Sequence, residues 1–415
     1  MKFFFPDSHD LVDPSYDFRS ERRSYAGSRQ QAQLYAHEVL DAPPYDGMLV
    51  SKAVIDGRGK NVRYSFSQIQ RLKRLGVREF LRLDRTCFAK RIDTMGDCGS
   101  FTYVAESEPP FTIAEVIEFY LDCQFDFGLS LDHVVLGYSM EQSESPTISE
   151  WRRRSEMTID LAAEFLRVHR QNRFPFQPVG VAQGWSPASY SQAVMALQDM
   201  GYDYVALGGM VPLKTHEILA CLEAIRQVRR PEIKLHLLGI GRFDGLGELD
   251  GYGVYSFDST APLKQAFMDD RDNYYTLTGA YTAVRIPQVG ENAMLKKRIL
   301  SGELDQQRAR QLEQACFTGA LAYEEGSLDL DVLVNRLREY EKFWHGVKDD
   351  SERYRQTLQD APWRHCKCSI CRRLGIHVVL FRGAERNRRR GFHNLYMVRE
   401  RLNHSGAPLW MDQII

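Results

Sequence analysis

The most restrictive feature of this 415-residue sequence is a series of short apolar runs that alternates with helix-like stretches. Apolar runs of this length, bounded by turn residues, are typical of buried strands. Eight occur, at residues 3–5, 48–50, 80–83, 125–131, 178–182, 204–207, 235–240 and 254–257. Helix-like stretches separate the later runs, at residues 113–123, 148–168, 188–200 and 216–228. The pattern predicts an α/β fold, a (β/α)8 barrel whose functional residues follow the C-terminal ends of its strands.

Beyond residue 258 the pattern becomes long and helical, at residues 293–310, 328–344 and 351–358, and it ends at a cluster of cysteines. The arginine-rich stretch at residues 19–33 predicts a surface helix or arm that decorates the barrel. We therefore expect two domains: residues 1–290 as a catalytic barrel with N-terminal decoration, and residues 291–415 as a helical extension with a cysteine-rich subdomain.

Composition narrows the class of protein. The hydrophobic content of 43% and the charged content of 26% are typical of a globular, water-soluble chain. A net charge of −1 excludes a broadly basic protein that coats nucleic acid, so contacts with polyanions must come from local patches. No apolar run approaches the roughly 20 residues of a membrane span, and the opening run is too short for a signal peptide. Eight cysteines are too few for a disulfide scaffold. We expect a cytoplasmic protein with reduced thiols and no membrane partner.

The cysteine cluster predicts a metal site. Cys366, Cys368 and Cys371 form C-x-C-x-x-C, and three histidines lie nearby: His365, His377 and His393. Three thiolates and one imidazole would fill the coordination of a tetrahedral Zn²⁺ and leave no open position, as in structural zinc sites. The alternatives are unrelated residues or a redox C-x-x-C, although the strand–helix context of a thioredoxin-like motif is missing. The residues alone leave the choice of histidine open.

An arginine-rich stretch, which we expect to form a loop, follows the cysteines. It contains Arg382, Arg386, Arg388, Arg389 and Arg390. A run of charge usually forms a solvated face. Arginines held beside a rigid metal site would also suit phosphate contacts, which give salt-dependent affinity without reading sequence. Arg388, Arg389 and Arg390 are therefore candidate nucleic-acid-binding residues.

Glycine-rich motifs follow several of the candidate strands. They are G-D-C-G-S-F at 96–101, V-G-V-A-Q-G-W at 179–185, V-A-L-G-G-M at 205–210 and a longer stretch at 237–259. Glycine after a strand lets backbone amides approach a ligand closely. Asp97 and Asp258 lie at such points, and a barrel would bring them to one mouth. Taken singly, either aspartate is typical of a cap or a turn.

The joint order of these motifs resembles the tRNA-guanine transglycosylase superfamily, from about residue 83 to about residue 401. The family's D-S-G-G-F resembles residues 97–101, its V-Q-G-G resembles residues 182–185, and its strand-end G-G resembles Gly208-Gly209. Its G-V-G resembles residues 239–241, and its D-x-F-D resembles residues 255–258. The resemblance implies a modified TIM barrel with a C-terminal zinc subdomain that exchanges guanine for a 7-deazaguanine.

The resemblance also implies roles for single residues. Asp258 would be the nucleophile and Asp97 the general acid/base. The purine would be bound by Asp132, Gln183, Gly184, Gly208 and Gly209, with Asp126 as a weaker candidate. The zinc ligands would be Cys366, Cys368, Cys371 and His393. On the sequence alone, Asp132 is equally well explained as a helix N-cap.

The departures from the family pattern indicate a divergent branch. Ser100 and Trp185 replace glycines, Tyr255 replaces an aspartate, and an early T-P-x-F-M-P-V segment is absent. The segments at residues 3–18, 44–57, 96–104 and 130–135 resemble the branch that inserts 7-deazaguanines into DNA. We therefore expect exchange in DNA, with 7-cyano-7-deazaguanine (preQ0) as the incoming base. The alternatives are exchange in tRNA and a non-catalytic relative that only binds nucleic acid.

The sequence shows no G-x-x-x-x-G-K-[ST] motif for a nucleoside triphosphate. An energy-driven step would therefore need an ATPase as a partner protein. The sequence predicts neither the oligomeric state nor the nucleotide context of the target guanine.

Overall fold

Eight parallel strands close into a barrel in the computed structural model, which describes residues 1–23, 33–58, 63–86, 88–140, 145–241 and 249–405. The strands are β1 (Lys2–Pro6), β2 (Gly47–Ser51), β3 (Asp93–Asp97), β4 (Phe127–Leu129), β5 (Gln177–Ala182), β6 (Tyr204–Leu207), β7 (Lys234–Leu237) and β8 (Val254–Asp258). Each strand pairs with the next in chain order, and β8 pairs with β1 to close the barrel. The predicted (β/α)8 barrel is confirmed.

Helices connect the barrel strands and make up most of the chain after the barrel. Before and within the barrel they are α1 (Ala36–Val39), α2 (Lys52–Ile55), α3 (Phe66–Phe80), α4 (Ile113–Cys123), α5 (Pro146–Asn172), α6 (Pro187–Met200) and α7 (Thr215–Val228). After β8 they are α8 (Ala261–Met268), α9 (Ala293–Leu300), α10 (Gln306–Glu324), α11 (Leu330–His345), α12 (Ser351–Asp360), α13 (Pro362–His365), α14 (Ser369–Leu374) and α15 (Gly383–Ser405).

Local sequence explains where the barrel helices begin and end. Thr112 and Ser145 accept hydrogen bonds from the first turns of α4 and α5, and Pro146 occupies the first turn of α5, where its missing N–H costs nothing. Helix α6 ends at Gly201, whose φ of 97° is a left-handed conformation that glycine adopts without strain. The four helix-like stretches of the barrel region are confirmed.

The interior of the barrel is filled with side chains. Its core comprises Phe4, Leu49, Met95, Leu129, Val179, Val181, Tyr204 and Ala206. The ring of Phe127 packs edge-on against Phe4 and Tyr204, with centroids 6.3 Å and 5.7 Å away. Because the interior is solid, ligands have access to the barrel only at its ends.

The predicted third strand, at residues 80–83, is wrong. Those residues end helix α3 and begin a short 3-10 turn, and the third strand is β3. The sequence of β3 is D-T-M-G-D, which carries little apolar signal. Its burial comes instead from tertiary packing, since a Cβ on Gly96 would lie 2.4 Å from the ring of Tyr120.

Two expectations about the flanking regions also change. The helix predicted at 293–310 is two helices, α9 and α10, because Gly302 has a φ of 78° and Asp305 caps α10. Within the arginine-rich stretch at 19–33, Arg22–Arg23 pairs with Tyr16–Asp17 as a short antiparallel ladder. The rest of that stretch, residues 24–32, lies outside the described residues.

The chain divides into two compact units. One contains residues 1–9, residues 45–261 and the C-terminal end from residue 402, and therefore holds the barrel. The other contains residues 10–44 and 262–401, with the helices after the barrel. The expected domain boundary at residues 290 and 291 stays a prediction, since compactness does not measure independent folding. Over the described ranges, no helix is both long and apolar enough to cross a membrane.

Candidate active site and metal centre

Polar residues collect at the C-terminal rim of the barrel. Asp97 and Asp258 are the last residues of β3 and β8, while Gln183 and Gly208 directly follow β5 and β6. Parallel strands end at the same rim, so residues far apart in sequence meet there. The structure thus places both predicted catalytic aspartates at one mouth.

Asp97 is half-buried at this rim. Burial, followed by the negative charges of Asp132 and Asp258, raises the pKa of Asp97 from 3.8 to about 7. A carboxyl group with a pKa near neutrality exchanges protons readily in both directions at physiological pH.

Asp258 is in a different environment. Its Oδ1 accepts a hydrogen bond from the backbone N–H of Gly239 at 3.0 Å and lies 3.2 Å from Nε2 of His236. The side chain is buried, with 8% of its area exposed. Two N–H groups aimed at one carboxylate oxygen fix the orientation of the carboxylate.

Asp132 and Gln183 form a polar pocket beside Asp97. Gln183 Nε2 donates to Asp132 Oδ2 at 2.7 Å, and the Cys98 thiol donates to Asp132 Oδ1 at 2.8 Å. Burial raises the pKa of Asp132, against the hydrogen bonds from Cys98 and Gln183. Residues 130–140 form no helix, so the N-cap alternative for Asp132 is wrong. The carboxylate is a buried acceptor that faces amide and thiol donors.

Three glycines lie at this pocket in positions where a side chain would not fit. A Cβ on Gly208 would lie 2.1 Å from Gln183 Nε2, and one on Gly184 would lie 2.8 Å from the Tyr190 ring. Gly209 has a φ of 72°, and its Cβ would lie 2.3 Å from a backbone oxygen. The Gly208 carbonyl is oriented by a 2.7 Å hydrogen bond from the Tyr190 hydroxyl. Side chains at these positions would collide with Gln183, with Tyr190 or with the backbone.

Asp126 does not join the pocket. It precedes β4, at the opposite end of the barrel from the rim, where it accepts hydrogen bonds from Thr94 and Arg91. Its contacts are those of a residue that secures the strand ends.

The predicted metal ligands come together in the second unit. The sulfurs of Cys366, Cys368 and Cys371 lie 3.6, 3.5 and 3.4 Å from Nδ1 of His393. Among the described residues, the ligand atoms of these four side chains lie within 4.8 Å of one another. The cluster confirms that these side chains can hold a metal ion, and it identifies His393 as the histidine that joins the thiols.

The donor set fits zinc. With Zn–S near 2.3 Å and Zn–N near 2.1 Å, tetrahedral geometry places sulfur and nitrogen ligands about 3.6 Å apart. The Nε2 of His393 lies 2.8 Å from the carbonyl oxygen of Tyr275, which leaves Nδ1 free of its proton to face the thiols. The ring stacks on Tyr274 at a centroid distance of 4.1 Å. The histidine is therefore oriented for ligation.

Comparison with known proteins gives one family. No family model matches the chain. The chain is 45% identical over 412 residues to a protein named DNA-guanine transglycosylase from Salmonella montevideo, and the match covers 98% of this chain and 97% of that protein. This chain belongs to the DNA-guanine transglycosylase family. The predicted superfamily and its DNA branch are confirmed.

The arginine-rich stretch of this DNA-guanine transglycosylase family member is helical, so the predicted loop is wrong. It forms the first turns of α15. Arg386 and Arg390 are fully buried, and Arg389 is 7% exposed. Arg390 donates to the carbonyls of Val378 and Leu380 at 3.3 and 3.1 Å.

Carboxylates hold the other buried arginines. Arg382 pairs with Glu21 and Glu313 at 2.6 Å, Arg386 pairs with Glu21, and Arg389 pairs with Glu385. Arg389 and Arg390 therefore lie neither on a solvated face nor in a position open to a phosphate group. Arg388 differs, because its side chain is 34% exposed and lies 3.9 Å from Asp10.

Sequence reasoning missed two polar residues of the family member's barrel mouth, Cys98 and His236. A signal for His236 was present. It is an ionisable residue inside the apolar strand β7, paired in register with Ser256, two residues before Asp258. An isolated polar side chain in a barrel strand requires a buried partner.

Proposed function

We propose that this protein exchanges guanine in DNA for a 7-deazaguanine base through a covalent aspartyl-glycosyl intermediate. Its similarity to a DNA-guanine transglycosylase supports the polymer and the leaving base. The observation that carries the chemistry is the pair of rim carboxylates in unlike environments. Asp97 has a pKa near 7, and Asp258 is oriented by two N–H groups. Such a division suits one proton-transfer group and one nucleophile.

In the first displacement, a carboxylate oxygen of Asp258 bonds to C1′ of the target nucleotide as the bond from C1′ to guanine breaks. The bonding electrons leave with the guanine nitrogen, which receives a proton from Asp97. The product is an ester between Asp258 and the sugar, and the DNA backbone stays intact.

In the second displacement, Asp97 takes the proton from the ring nitrogen of the incoming base as that nitrogen attacks C1′. The C1′–oxygen bond breaks, and its electrons return to the Asp258 carboxylate. Two inversions restore the original configuration at C1′, as in retaining glycosidases. The two displacements need no external source of energy. An ATPase partner would instead help the protein to reach the target nucleotide in DNA.

The target nucleotide must leave the duplex to reach the barrel mouth. The oxygens of Asp132 and the amide of Gln183 are acceptors and a donor of the kinds that pair with a guanine edge, and Gly184, Gly208 and Gly209 let the backbone pack closely around these side chains. We propose 7-cyano-7-deazaguanine as the incoming base, because it keeps that edge and differs at position 7.

We propose Zn²⁺ as the ion held by Cys366, Cys368, Cys371 and His393. Four protein ligands leave no position for substrate, so the ion has a structural role. We restrict the proposed phosphate contact to Arg388, since the guanidinium groups of Arg389 and Arg390 are occupied by protein acceptors.

The test is incubation of the protein with labelled 7-cyano-7-deazaguanine and either guanine-containing duplex DNA or tRNA, followed by nucleoside mass spectrometry. We expect the modified nucleoside in DNA. Incorporation into tRNA alone would favour the tRNA alternative. Binding to either polymer without incorporation would favour the non-catalytic alternative.

A further inference from the structure

A chain of polar side chains lies behind Asp258 in the barrel interior. It comprises Tyr204 on β6, Ser256 on β8 and His236 on β7. The hydroxyl of Tyr204 hydrogen-bonds to Ser256 Oγ, which lies 2.6 Å from His236 Nδ1. His236 Nε2 then lies 3.2 Å from Asp258 Oδ1. Tyr204 is 1% exposed, and Ser256 and His236 are fully buried, so these groups satisfy one another.

When Asp258 is ionised, the hydrogen bonds between these side chains all donate in one direction, toward Asp258. A carboxylate only accepts, so His236 Nε2 carries the proton and donates to Asp258. When the imidazole carries only that proton, its Nδ1 atom accepts from the hydroxyl of Ser256, and Ser256 accepts from the hydroxyl of Tyr204. Packing adds a second constraint, since the His236 ring meets the rings of Phe4 and Tyr204 edge-on at 5.8 and 6.4 Å. The orientation of the imidazole is fixed on both sides.

The two oxygens of Asp258 are therefore unequal. Oδ1 faces both Nε2 of His236 and the backbone N–H of Gly239. In the part of the chain that the structure describes, no protein donor is seen at Oδ2. Oδ2 is the oxygen with free electron pairs, and Oδ1 is the oxygen that stays a hydrogen-bonded carbonyl in an ester.

We propose that His236 is a positioning residue for base exchange, acting through Asp258. By holding Oδ1 it directs Oδ2 to C1′ in the first displacement. In the second displacement the C1′–Oδ2 bond breaks and negative charge returns to the carboxylate, and the Nε2–H donor stabilises that charge. This inference rests on the proposed function.

A donor on the nucleophile affects the two steps differently. It orients the carboxylate for attack but lowers the basicity of that carboxylate, whereas it directly assists the departure of the carboxylate from C1′. Loss of the donor should therefore slow the second displacement more than the first. The covalent intermediate should make up a larger fraction of the enzyme at steady state.

The experiment compares His236→Asn with His236→Gln. A Gln amide reaches the position of Nε2 and keeps a donor for Asp258, whereas an Asn amide reaches only the position of Nδ1. We expect His236→Asn to slow exchange by roughly 10- to 100-fold, the range of a hydrogen bond to a charged group, with a larger trapped fraction on duplex DNA and an unchanged KM for the base. His236→Gln should restore most of the rate.

Other outcomes overturn the inference. Wild-type exchange by His236→Asn would show that Asp258 does not need the donor. Equal losses in both variants, with less trapped intermediate, would assign His236 a purely structural role. Should His236→Asn fail to fold, Ser256→Ala tests the same chain, because it keeps the imidazole but removes the hydrogen bond at Nδ1 that holds its orientation, and accumulation of intermediate is again expected. If the wild type neither exchanges bases nor forms an adduct, the proposed function itself fails.

Discussion

The barrel rim and helix α15 both contain several charged side chains, but the two regions differ in whether those charges have partners of opposite sign. At the rim, Asp97, Asp132 and Asp258 interact as like charges, and no lysine or arginine pairs with them among the residues that the structure describes. Along α15, buried arginines are matched with carboxylates or backbone carbonyls. Unmatched charge is costly in a protein interior, so its presence indicates chemistry, whereas matched charge indicates architecture.

The two regions also differ in what their charges can do. Burial of Asp97, reinforced by the like charges of Asp132 and Asp258, makes proton binding to Asp97 favourable near neutral pH and gives it a variable protonation state. Near the start of α15, Glu21 pairs with both Arg382, which precedes the helix, and Arg386, and these pairs connect residues 10–44 to the helices of the same unit. Mutations at the rim should therefore alter rate, and mutations of the buried arginines should alter stability.

Removal of the metal should give the largest effect on stability. Purified protein should contain about one equivalent of zinc, and Cys368→Ser should lose it together with several kcal/mol of the free energy of unfolding, since metal binding to such sites is coupled to folding. The measurement is elemental analysis with thermal unfolding, and Cys221→Ser, which alters a buried cysteine outside the cluster, is the control. Zinc-free protein of full stability would contradict the assignment.

Replacing Arg390, which is buried, and Arg388, which is partly exposed, should have different effects on stability and on DNA binding. Arg390→Ala removes the side-chain donors to the carbonyls of Val378, Leu380 and Ala266 and should lower the free energy of unfolding by about 3 kcal/mol. Arg388→Ala should change stability by less than about 0.5 kcal/mol. It should instead weaken DNA binding and reduce the slope of log K against log salt by about 1. Denaturant titration and binding at several salt concentrations measure both. An unchanged salt slope in Arg388→Ala would remove the proposed phosphate contact.

Asp97→Asn should lower the rate of exchange by roughly 10²-fold, a typical contribution of a general acid–base group. In the wild type, the protonated form of Asp97 is the acid of the first displacement. With a pKa of about 7, adduct formation should fall as pH rises above 7. Rapid-quench measurements of adduct formation across pH test this. A rate that is independent of pH in this range would assign the proton to another group.

A smaller effect is expected in the pH dependence of stability. The pKa of Asp97 is raised in the folded state, from 3.8 to about 7, so the stability it contributes is full below the unfolded pKa of 3.8 and is lost as pH rises from there through the folded pKa of about 7. Asparagine stays neutral at every pH. The melting temperature of Asp97→Asn relative to wild type should therefore rise between about pH 4 and about pH 7 and level off above that. A constant difference would show that Asp97 is not held in a raised-pKa environment.

The sequence was sufficient to predict a structural element or a site where a single segment of the chain determines it. Apolar runs located seven barrel strands, and the spacing of Cys366, Cys368 and Cys371 identified the metal cluster. It was insufficient where packing partners decide. Strand β3 is buried because Tyr120 covers Gly96, and Arg386 and Arg390 are buried because distant residues supply acceptors.

At the barrel rim, too, some features could be predicted from single segments and others depend on distant residues. Glycines and aspartates at strand ends marked the mouth, and the family resemblance supplied their expected roles. The hydrogen bond from His236 to Asp258 depends on the register of β7 against β8, which no single motif encodes. Likewise, the raised pKa of Asp97 arises from burial and from two carboxylates distant in sequence, Asp132 in the loop after β4 and Asp258 at the end of β8.

The central claim is that Asp258 bonds covalently to the DNA sugar. The most direct measurement is to incubate wild-type protein with guanine-containing duplex DNA, quench with denaturant, digest both components, and locate the modified peptide by mass spectrometry. Asp258→Ala is the control. We expect a deoxyribose-linked fragment on the peptide that contains Asp258, and no denaturation-resistant complex in Asp258→Ala. A sugar adduct on another residue, or base exchange at the wild-type rate by Asp258→Ala, would contradict it.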